Sequence, residues 1–447
     1  MIRLRSLWLN LLGSLWFVPS VLVLLGVAAA LLLVELHPLI GPDLSHDWPR
    51  LFGAGAEGAR GMLSAIATSM ITVAGVVYSV TIVALSLAAS QYSPRVLRNF
   101  MSDRPTQVVL GAFVAVFAYC LIVLRTIRGS DEGAFVPSLA VLGGVFMAFV
   151  GIGLLIYFVH HVARAIQVDY IVQRIVSDTS EAIDRLFPGD VGEERPIAPR
   201  PSTGASDTLW EEIAATRTGY LVAIDASAML ALAIEQHTVL QVLPQVGEFV
   251  VAHRTLARVA PGGKRPQGGW PGALTQCLTV QGERNVHQDP AYGLQQLVDV
   301  ALKALSPGVH DPTTAVSCVD HLGALLHRLS GRRMPGGLRE HQGHLRLIFA
   351  APGYEDFVHV ALSALTHHAG SHEPVHARLL AAVESAADAS EEPGRLAVLA
   401  RQLDVHVERL ADADLPAGRA EALRLRATVL RDDLRRRITG SGFATDL

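Results

Sequence analysis

Four long runs of hydrophobic residues occupy the first 160 positions, whereas charged and polar residues are mixed through the remainder of the chain. The runs lie at residues 15–36, 62–90, 107–127 and 136–160. A helix of about 20 residues crosses the hydrocarbon core of a bilayer, and it satisfies its own backbone polar groups there. The pattern therefore predicts a four-span transmembrane domain at residues 1–160.

Apolar residues continue at helical spacing after the fourth run, which predicts a helical extension at 161–188. Pro188 and Gly189 end this pattern. The following segment, 189–207, is rich in proline, glycine and charge, and we interpret it as an exposed linker.

Beyond the linker, short strand-like runs at 219–225 and 237–245 flank a helix-favouring segment, which predicts a small mixed α/β segment at 208–262. Helical patterns recur from residue 291 onward, so we expect a mainly helical domain at 263–447. The predicted fold class is an α-helical integral membrane protein, with four transmembrane helices followed by a mostly helical α+β cytoplasmic domain.

The orientation follows from the arginines around the four runs, because cytoplasmic loops carry an excess of Lys and Arg. One side collects Arg3, Arg5, Arg95, Arg98, Arg104, Arg164 and Arg174, and the other collects Arg50, Arg60, Arg125 and Arg128. The larger set places both termini in the cytoplasm, in agreement with an even number of spans.

Composition narrows the class of protein further. Half of the 447 residues are hydrophobic, 17% are charged and the mean hydropathy is +0.35, which argues against an ordinary soluble protein. The net charge of −4 provides no basic surface for nucleic acid. Cys120, Cys277 and Cys318 lie far apart in the sequence, so neither a disulfide framework nor a thiolate metal site is expected.

The second run carries hydroxyl groups at regular intervals and has no charged residue between Arg60 and Arg95. One helical face would collect a set of small and hydroxyl-bearing residues, here called the small polar stripe: Ser64, Thr68, Thr72, Gly75, Ser79, Ser86 and Ser93. Close packing between transmembrane helices is one interpretation of the stripe, because small residues let helices approach. The other interpretation is a hydroxyl-lined pore, which requires a cyclic homo-oligomer because a single four-span chain is too thin to enclose one.

The uncharged stretch 61–94 would extend about 51 Å as a helix, well beyond the bilayer core. We expect it to tilt or to continue into the cytoplasm, where Arg95 and Arg98 could attract anions or anionic lipid headgroups. His160 and His161 lie where the fourth run leaves the membrane. They either mark the boundary as polar residues, or they contact lipid headgroups or form a proton-sensitive gate.

Several short motifs carry a family resemblance. They are Gln91–Arg95, Phe158–His161, Gln288–Asp289, Gly293–Asp299, Ala304–Gly308 and Asp311–Ala315. With these motifs, the chain over its whole length resembles the bacterial predicted-membrane-protein family catalogued as domain of unknown function 2254. The resemblance implies an integral inner-membrane protein with four spans and a cytoplasmic C-terminal domain. It implies no known activity.

The segment SPGVHDPTT, residues 306–314, combines two signals. Asp311 followed by Pro312 is typical of a helix N-cap and first helical position. A helix N-terminus also attracts anions, so the alternative is a binding site for a phosphate-bearing or other small anionic ligand. The candidate residues of this cytoplasmic site are Arg284, Asp289, Asp299, Lys303, Ser306, His310, Asp311, Thr313 and Thr314.

The histidine-rich stretch 367–376 invites a metal hypothesis, but Gly370 and Pro374 interrupt the helix that would align its histidines. We interpret the stretch as a solvated loop and predict no metal site. Nucleophile-elbow, phosphate-loop and dinucleotide-binding motifs are missing from any suitable context, so we predict no cofactor and no catalytic residue.

The favoured function is a homo-oligomeric, channel-like or transport-related protein whose cytoplasmic domain senses or gates. Its expected partners are the lipid bilayer, further copies of the chain and an ion or small anionic ligand, but no nucleic acid. A proton-coupled transporter is disfavoured because no ionisable residue lies deep within a run. Two alternatives remain, namely a non-conducting scaffold or sensor, and a membrane enzyme acting on a lipid or envelope precursor.

Overall fold

The apolar runs form four helices in the first part of the chain. The structure, a computed structural model, describes residues 16–47, 55–91, 103–129, 135–165, 167–187 and 210–440. The helices are α1 (Phe17–Asp47), α2 (Ala56–Gln91), α3 (Arg104–Thr126) and α4 (Ser138–Ala165). All four are long and apolar enough to cross a membrane, which confirms the predicted spans. The chain divides into an N-terminal unit, 4–171, and a C-terminal unit, 172–447.

Within the N-terminal unit, α3 packs against each of the other three helices. Gly111 allows α1 to approach, since a Cβ added there would lie 2.7 Å from the Cα of Pro19. The buried hydroxyl of Tyr119 donates to the Ala140 carbonyl of α4 at 2.6 Å. These contacts follow the rule that small residues and interhelical hydrogen bonds hold membrane helices together, because lipid provides no hydrophobic driving force.

The C-terminal unit begins with a helix separate from the fourth span. α4 ends at Ala165 and α5 (Val168–Leu186) begins three residues later, with Ile166 outside the described residues. Thr179 of α5 is fully buried against Gly293. Arg328 and Arg332 bind Asp184 of α5 from one side, with Arg328 Nε at 2.7 Å from the carboxylate. The face of α5 formed by residues 179–184 is thus an integral part of this unit.

Two sheets and two short helices follow. The strands are β1 (Glu211–Ala214), β2 (Gly219–Ile224), β3 (Leu240–Val242), β4 (Phe249–Val250), β5 (Thr255–Val259), β6 (Leu278–Gln281), β7 (Leu338–His341) and β8 (His344–Phe349). Helix α6 (Ala226–Glu235) follows β2 and α7 (Gly269–Cys277) precedes β6. One sheet has the order β1-β5-β3-β8-β7 and the other β4-β2-β6, and β3 with β8 is the parallel pair.

The remaining helices form the second half of the C-terminal unit. They are α8 (Pro290–Leu305), α9 (Pro312–Ser330), α10 (Tyr354–Val358), a π-helical turn (His359–Ser363), α11 (Ala364–His368), α12 (Glu373–Asp388), α13 (Pro393–Asp412) and α14 (Ala417–Gly440). A mixed helical and sheet domain after the four spans is therefore confirmed.

The hairpin of β7 and β8 differs from the helical pattern expected after residue 291. Gln342 and Gly343 turn the chain with φ of 52° and 77°, the left-handed conformation that tight hairpins require. Because β8 pairs with β3, the segment predicted at 208–262 shares its larger sheet with residues that follow it by about 80 positions. The short strands of this hairpin gave a weak signal beside the long helical patterns around them.

Candidate functional site

Helix α2 has two contrasting faces. One face is buried against α3 and α4 and repeats at nearly heptad spacing, through Ala59, Leu63, Ala67, Met70, Ala74, Val77 and Ala84. Most of these residues are small, so the helices approach closely. This face, and not the small polar stripe, holds α2 within its own bundle.

The small polar stripe lies on the opposite face. Ser64, Thr68, Thr72, Gly75, Ser79 and Ser86 are all exposed, and Ser93 lies outside the described residues. At 3.6 residues per turn, the centre of the stripe is about 150° around the helix from the centre of the buried face. A Cβ added at Gly75 would meet no atom within 4 Å. Among the described residues of the N-terminal unit, the stripe therefore has no helix packed on it.

Two larger side chains border the stripe. Tyr78 and Ile82, at 55% and 48% exposed, project from neighbouring positions of the same helix and would narrow any passage lined by the stripe. The Thr72 hydroxyl donates to the Thr68 carbonyl at 2.8 Å, which satisfies its donor without a neighbouring helix. The stripe thus forms an exposed surface of small, weakly polar residues, none of which is charged.

A polar cluster forms where α3 begins and α4 ends. Asp103 caps α3, and its carboxylate accepts hydrogen bonds from the Thr106 backbone N–H at 3.2 Å and the Thr106 hydroxyl at 2.7 Å. His161 Nε2 lies 2.7 Å from the same Asp103 oxygen, and both side chains are 12% exposed. Tyr157 stacks on His161 with ring centroids 5.7 Å apart. The Asp103–His161 pair fixes the start of α3 to the end of α4.

The other predicted boundary residues do not join this cluster. His160 is exposed, and Arg95 and Arg98 lie outside the described residues. At the opposite end of the bundle, Arg60 donates to the Ile127 carbonyl at 2.7 Å and so caps α3. His161 was predicted from the sequence and Asp103 was not, although the Asp-Arg-Pro start of α3 is a typical capping signal.

The predicted anion site of the C-terminal unit is divided between the two ends of α8. Its 16 residues span about 24 Å, which separates Arg284 and Asp289 from the segment 306–314. Arg284 Nε lies 2.8 Å from the Asp289 carboxylate, which caps α8 by accepting from Tyr292 N–H at 3.1 Å. Burial raises the pKa of Asp289, and the Arg284 guanidinium acts in the opposite direction. These residues form a partly buried ion pair, in which Asp289 is buried and Arg284 is partly exposed.

The segment 306–314 makes its own local hydrogen bonds. Asp311 accepts from the Thr314 backbone N–H at 3.1 Å and from the Thr314 hydroxyl at 2.6 Å, and these bonds lower the pKa of Asp311. The Ser306 hydroxyl donates to the Lys303 carbonyl at 2.6 Å. Because the Asp311 carboxylate already occupies the N-terminus of α9, this geometry favours capping over anion binding.

Two further candidates of this set have other surroundings. Asp299 accepts a hydrogen bond from the Gln295 side chain at 2.9 Å, in the middle of α8. His310 adopts a positive φ of 51°, and its exposed ring faces the ring of His372 with centroids 5.3 Å apart. Thr313 adds a backbone N–H near the Asp311 carboxylate.

The stretch 367–376 is only partly the solvated loop that the sequence predicted. His367 and His368 are exposed, but His376 is buried on α12 and contacts His406 of α13. His406 was not predicted from the sequence, because nothing in the local pattern distinguishes it from other helical histidines. Among the residues that the structure describes, no group of three or more His, Cys, Asp or Glu side chains could hold a metal ion.

Comparison with known proteins gives a family but no activity. The family described as predicted membrane protein (DUF2254) matches residues 13–385. Uncharacterized proteins of Mycobacterium bovis and Mycobacterium tuberculosis are each 33% identical over 400 residues, which cover 88% of this chain and 75% of theirs. No solved structure matches the chain.

Proposed function

The chain belongs to this predicted membrane protein family, and we propose that it acts as a homo-oligomeric, channel-like protein of the bacterial inner membrane. The observation that carries the proposal is the outward position of the small polar stripe on α2. Packing within the chain's own bundle would explain such a stripe if it were buried, but the buried face of α2 is a different one.

An outward stripe of small residues suits contact between copies better than contact with lipid. Lipid chains gain nothing from serine and threonine hydroxyls, whereas a second helix can approach closely over Gly75 and Ser79. In a ring of copies, the same face of each α2 would turn toward the axis and present hydroxyl groups to water. Tyr78 and Ile82 would then form its narrow part.

The length of α2 supports this arrangement. Its 36 residues extend about 54 Å, far more than the hydrocarbon core requires. A helix of this length tilts around a central axis or continues beyond the membrane. We propose that α2 reaches the cytoplasmic side of the membrane. Both termini would lie on that side, and the C-terminal unit would act there as a sensor or gate. An ion or small anionic solute is the proposed cargo or ligand.

Cysteine cross-linking in lipid nanodiscs tests the oligomer. Ser79→Cys places a thiol on the stripe, and Val80→Cys places one on an exposed position turned about 100° away on the same helix. We expect mild oxidation to produce covalent dimers of the Ser79→Cys variant and far fewer of the Val80→Cys variant. Equal cross-linking of both variants, or a monomer by native mass spectrometry, would count against the proposal.

A flux assay in liposomes tests conduction separately. We expect ion flux through the wild-type protein to fall several-fold in Ser79→Leu, because the larger apolar side chain narrows and dehydrates the axis. Val80→Leu, which changes a neighbouring exposed apolar residue, should conduct like the wild type. An oligomer that cross-links through Ser79→Cys but shows no flux would instead support the scaffold or sensor alternative.

The Asp103–His161 pair favours a second candidate function, a membrane enzyme acting on a lipid or envelope precursor. A carboxylate that orients an imidazole is the arrangement of many general bases. We expect such an enzyme to convert a labelled phospholipid in mixed micelles and to lose that turnover in His161→Gln. Unchanged lipid in the wild-type reaction removes this candidate for that lipid class.

A further inference from the structure

A pair of buried histidines joins two helices of the C-terminal unit. His376 of α12 and His406 of α13 are 1% and 3% exposed, and His376 Nδ1 lies 3.3 Å from His406 Nε2. The other ring nitrogen of His376, Nε2, lies 3.0 Å from the Gly370 carbonyl oxygen. Buried histidines at this depth are uncommon, and here each ring is held by a named partner.

These contacts determine where the protons reside. A carbonyl oxygen only accepts hydrogen bonds, so His376 Nε2 must carry a hydrogen. In neutral His376, Nδ1 then accepts, and the hydrogen between the rings belongs to His406 Nε2. A second proton on His376 would set two N–H groups against each other unless the hydrogen of His406 moved to its Nδ1, and in either case it would place an unpaired charge in the core. A second proton on His406 would leave an unpaired charge in the core.

The pair continues toward the surface through two more histidines. His372 forms the N-cap position of α12, one helical turn before His376, and its positive charge would lower the pKa of His376. Its ring faces that of His310 in the segment between α8 and α9. We name these four residues, His310, His372, His376 and His406, the histidine cluster.

Many of the charged side chains on the elements around the cluster form surface ion pairs. α12 and α13 are joined to α9, α10 and α14 by Arg378–Asp320, Arg401–Glu355, Arg419–Glu373, Arg426–Glu384, Arg431–Asp404 and Arg435–Asp404. Burial disfavours protonation of both rings and is the largest cause of their lowered pKa values; the charge of His372 on His376 and that of His376 on His406 act in the same direction, whereas the hydrogen bond to the Gly370 carbonyl favours protonation of His376. Among the described residues, no carboxylate raises the pKa of either ring and so compensates an added proton.

We propose that the histidine cluster is an acid-responsive lock, which holds α12 and α13 together while neutral and releases them when protons bind. The released state would expose His376 and His406 and separate the two loops that carry His310 and His372. The proposal concerns the C-terminal unit alone and does not depend on conduction by the membrane helices. It supplies a signal, the proton, to which this unit would respond.

The expected size follows from proton linkage. Burial lowers the pKa of His406 to about 3 and also lowers the pKa of His376, whereas an exposed histidine titrates near 6.5. The open state binds a proton on His406 as the pH falls below about 6.5, and the closed state does not. His406 alone should therefore raise the opening equilibrium constant about thirty-fold between pH 7.5 and pH 5.0.

Hydrogen–deuterium exchange of the full chain in nanodiscs measures this opening, after correction for the intrinsic pH dependence of amide exchange. We expect protection of peptides from α12 and α13 to fall at least about thirty-fold between pH 7.5 and pH 5.0. His406→Gln should reduce that dependence by about the same factor, because glutamine retains a donor and does not titrate. His367→Gln, which removes an exposed histidine, should behave as the wild type.

A second measurement applies if His406→Gln does not fold. Exchange of the imidazole C2 hydrogen, followed by mass spectrometry of the wild-type protein, reports the titration of each histidine. We expect His406 to remain neutral down to about pH 5 in the folded protein, because burial lowers its pKa to about 3. The proposal fails if His406 becomes protonated above pH 5 in the folded protein, or if His406→Gln retains the wild-type pH dependence.

Discussion

The contact between α5 and α8 makes a quantitative prediction for Gly293→Ala. A Cβ at this position would lie 2.0 Å from the Thr179 hydroxyl oxygen and 2.9 Å from the Thr179 Cβ. Thr179 is fully buried, and its hydroxyl donates to the Ile175 carbonyl at 2.6 Å, so the side chain has no free direction in which to turn. The new methyl group must therefore push the two helices apart.

Two opposing effects determine the magnitude. Alanine is favoured over glycine inside a helix by about 1 kcal/mol. Overpacking a buried contact costs about 1–3 kcal/mol, and a contact of 2.0 Å with a fixed side chain belongs at the upper end of that range. We expect Gly293→Ala to lower the free energy of unfolding of the C-terminal unit by about 2 kcal/mol.

Denaturant unfolding of the full chain in detergent provides the measurement, followed by the fluorescence of Trp210 and Trp270 in a background with Trp8, Trp16 and Trp48 replaced by phenylalanine. Gly418→Ala is the matched control, because it adds the same methyl group to a helical glycine with open space around it. That control should be neutral or stabilising by up to about 1 kcal/mol. Thr179→Ala should recover much of the loss in the double variant, with a coupling energy of about 1–3 kcal/mol.

A Gly293→Ala protein as stable as Gly418→Ala would contradict this prediction. Such a result would mean that α5 does not pack on α8 at this glycine. A loss in Gly293→Ala without recovery in the double variant would locate the clash elsewhere than Thr179.

Three further predictions concern single polar contacts. Tyr119→Phe should lower the free energy of unfolding of the N-terminal unit in SDS by about 1 kcal/mol, since it removes the hydrogen bond from α3 to α4. Asp103→Ala should lower the free energy of unfolding by about 1–3 kcal/mol in the same assay, because it removes the α3 cap and leaves His161 without its carboxylate. An unchanged unfolding midpoint would contradict the Asp103–His161 pairing. Asp311→Ala should lower the free energy of unfolding by about 1 kcal/mol near pH 7 in denaturant. This difference from the wild type should shrink as the pH falls below about 4, because the hydrogen bonds from Thr314 lower the folded-state pKa of the Asp311 carboxyl. A constant difference down to pH 2 would contradict the capping role.

Elements that depend on local physics were predictable from the sequence. The four spans follow from the length of uncharged apolar runs, because lipid demands continuous helices wherever the backbone has no water. The cap at Asp311 follows from neighbouring residues, since Pro312 and Thr314 lie within one helical turn of it. The hairpin of β7 and β8 was not predicted, because β8 gains its stability from β3, which is remote in the sequence.

Contacts between distant residues required the tertiary structure. Asp103 and His161 are separated by 58 positions, and His376 and His406 by 30, so no periodic pattern relates the members of either pair. The seven-residue spacing of the small polar stripe was readable from the sequence, but its direction was not. Spacing establishes which residues share a face, because helix geometry is local. Only the packing of α2 against α3 and α4 decided that this face points outward.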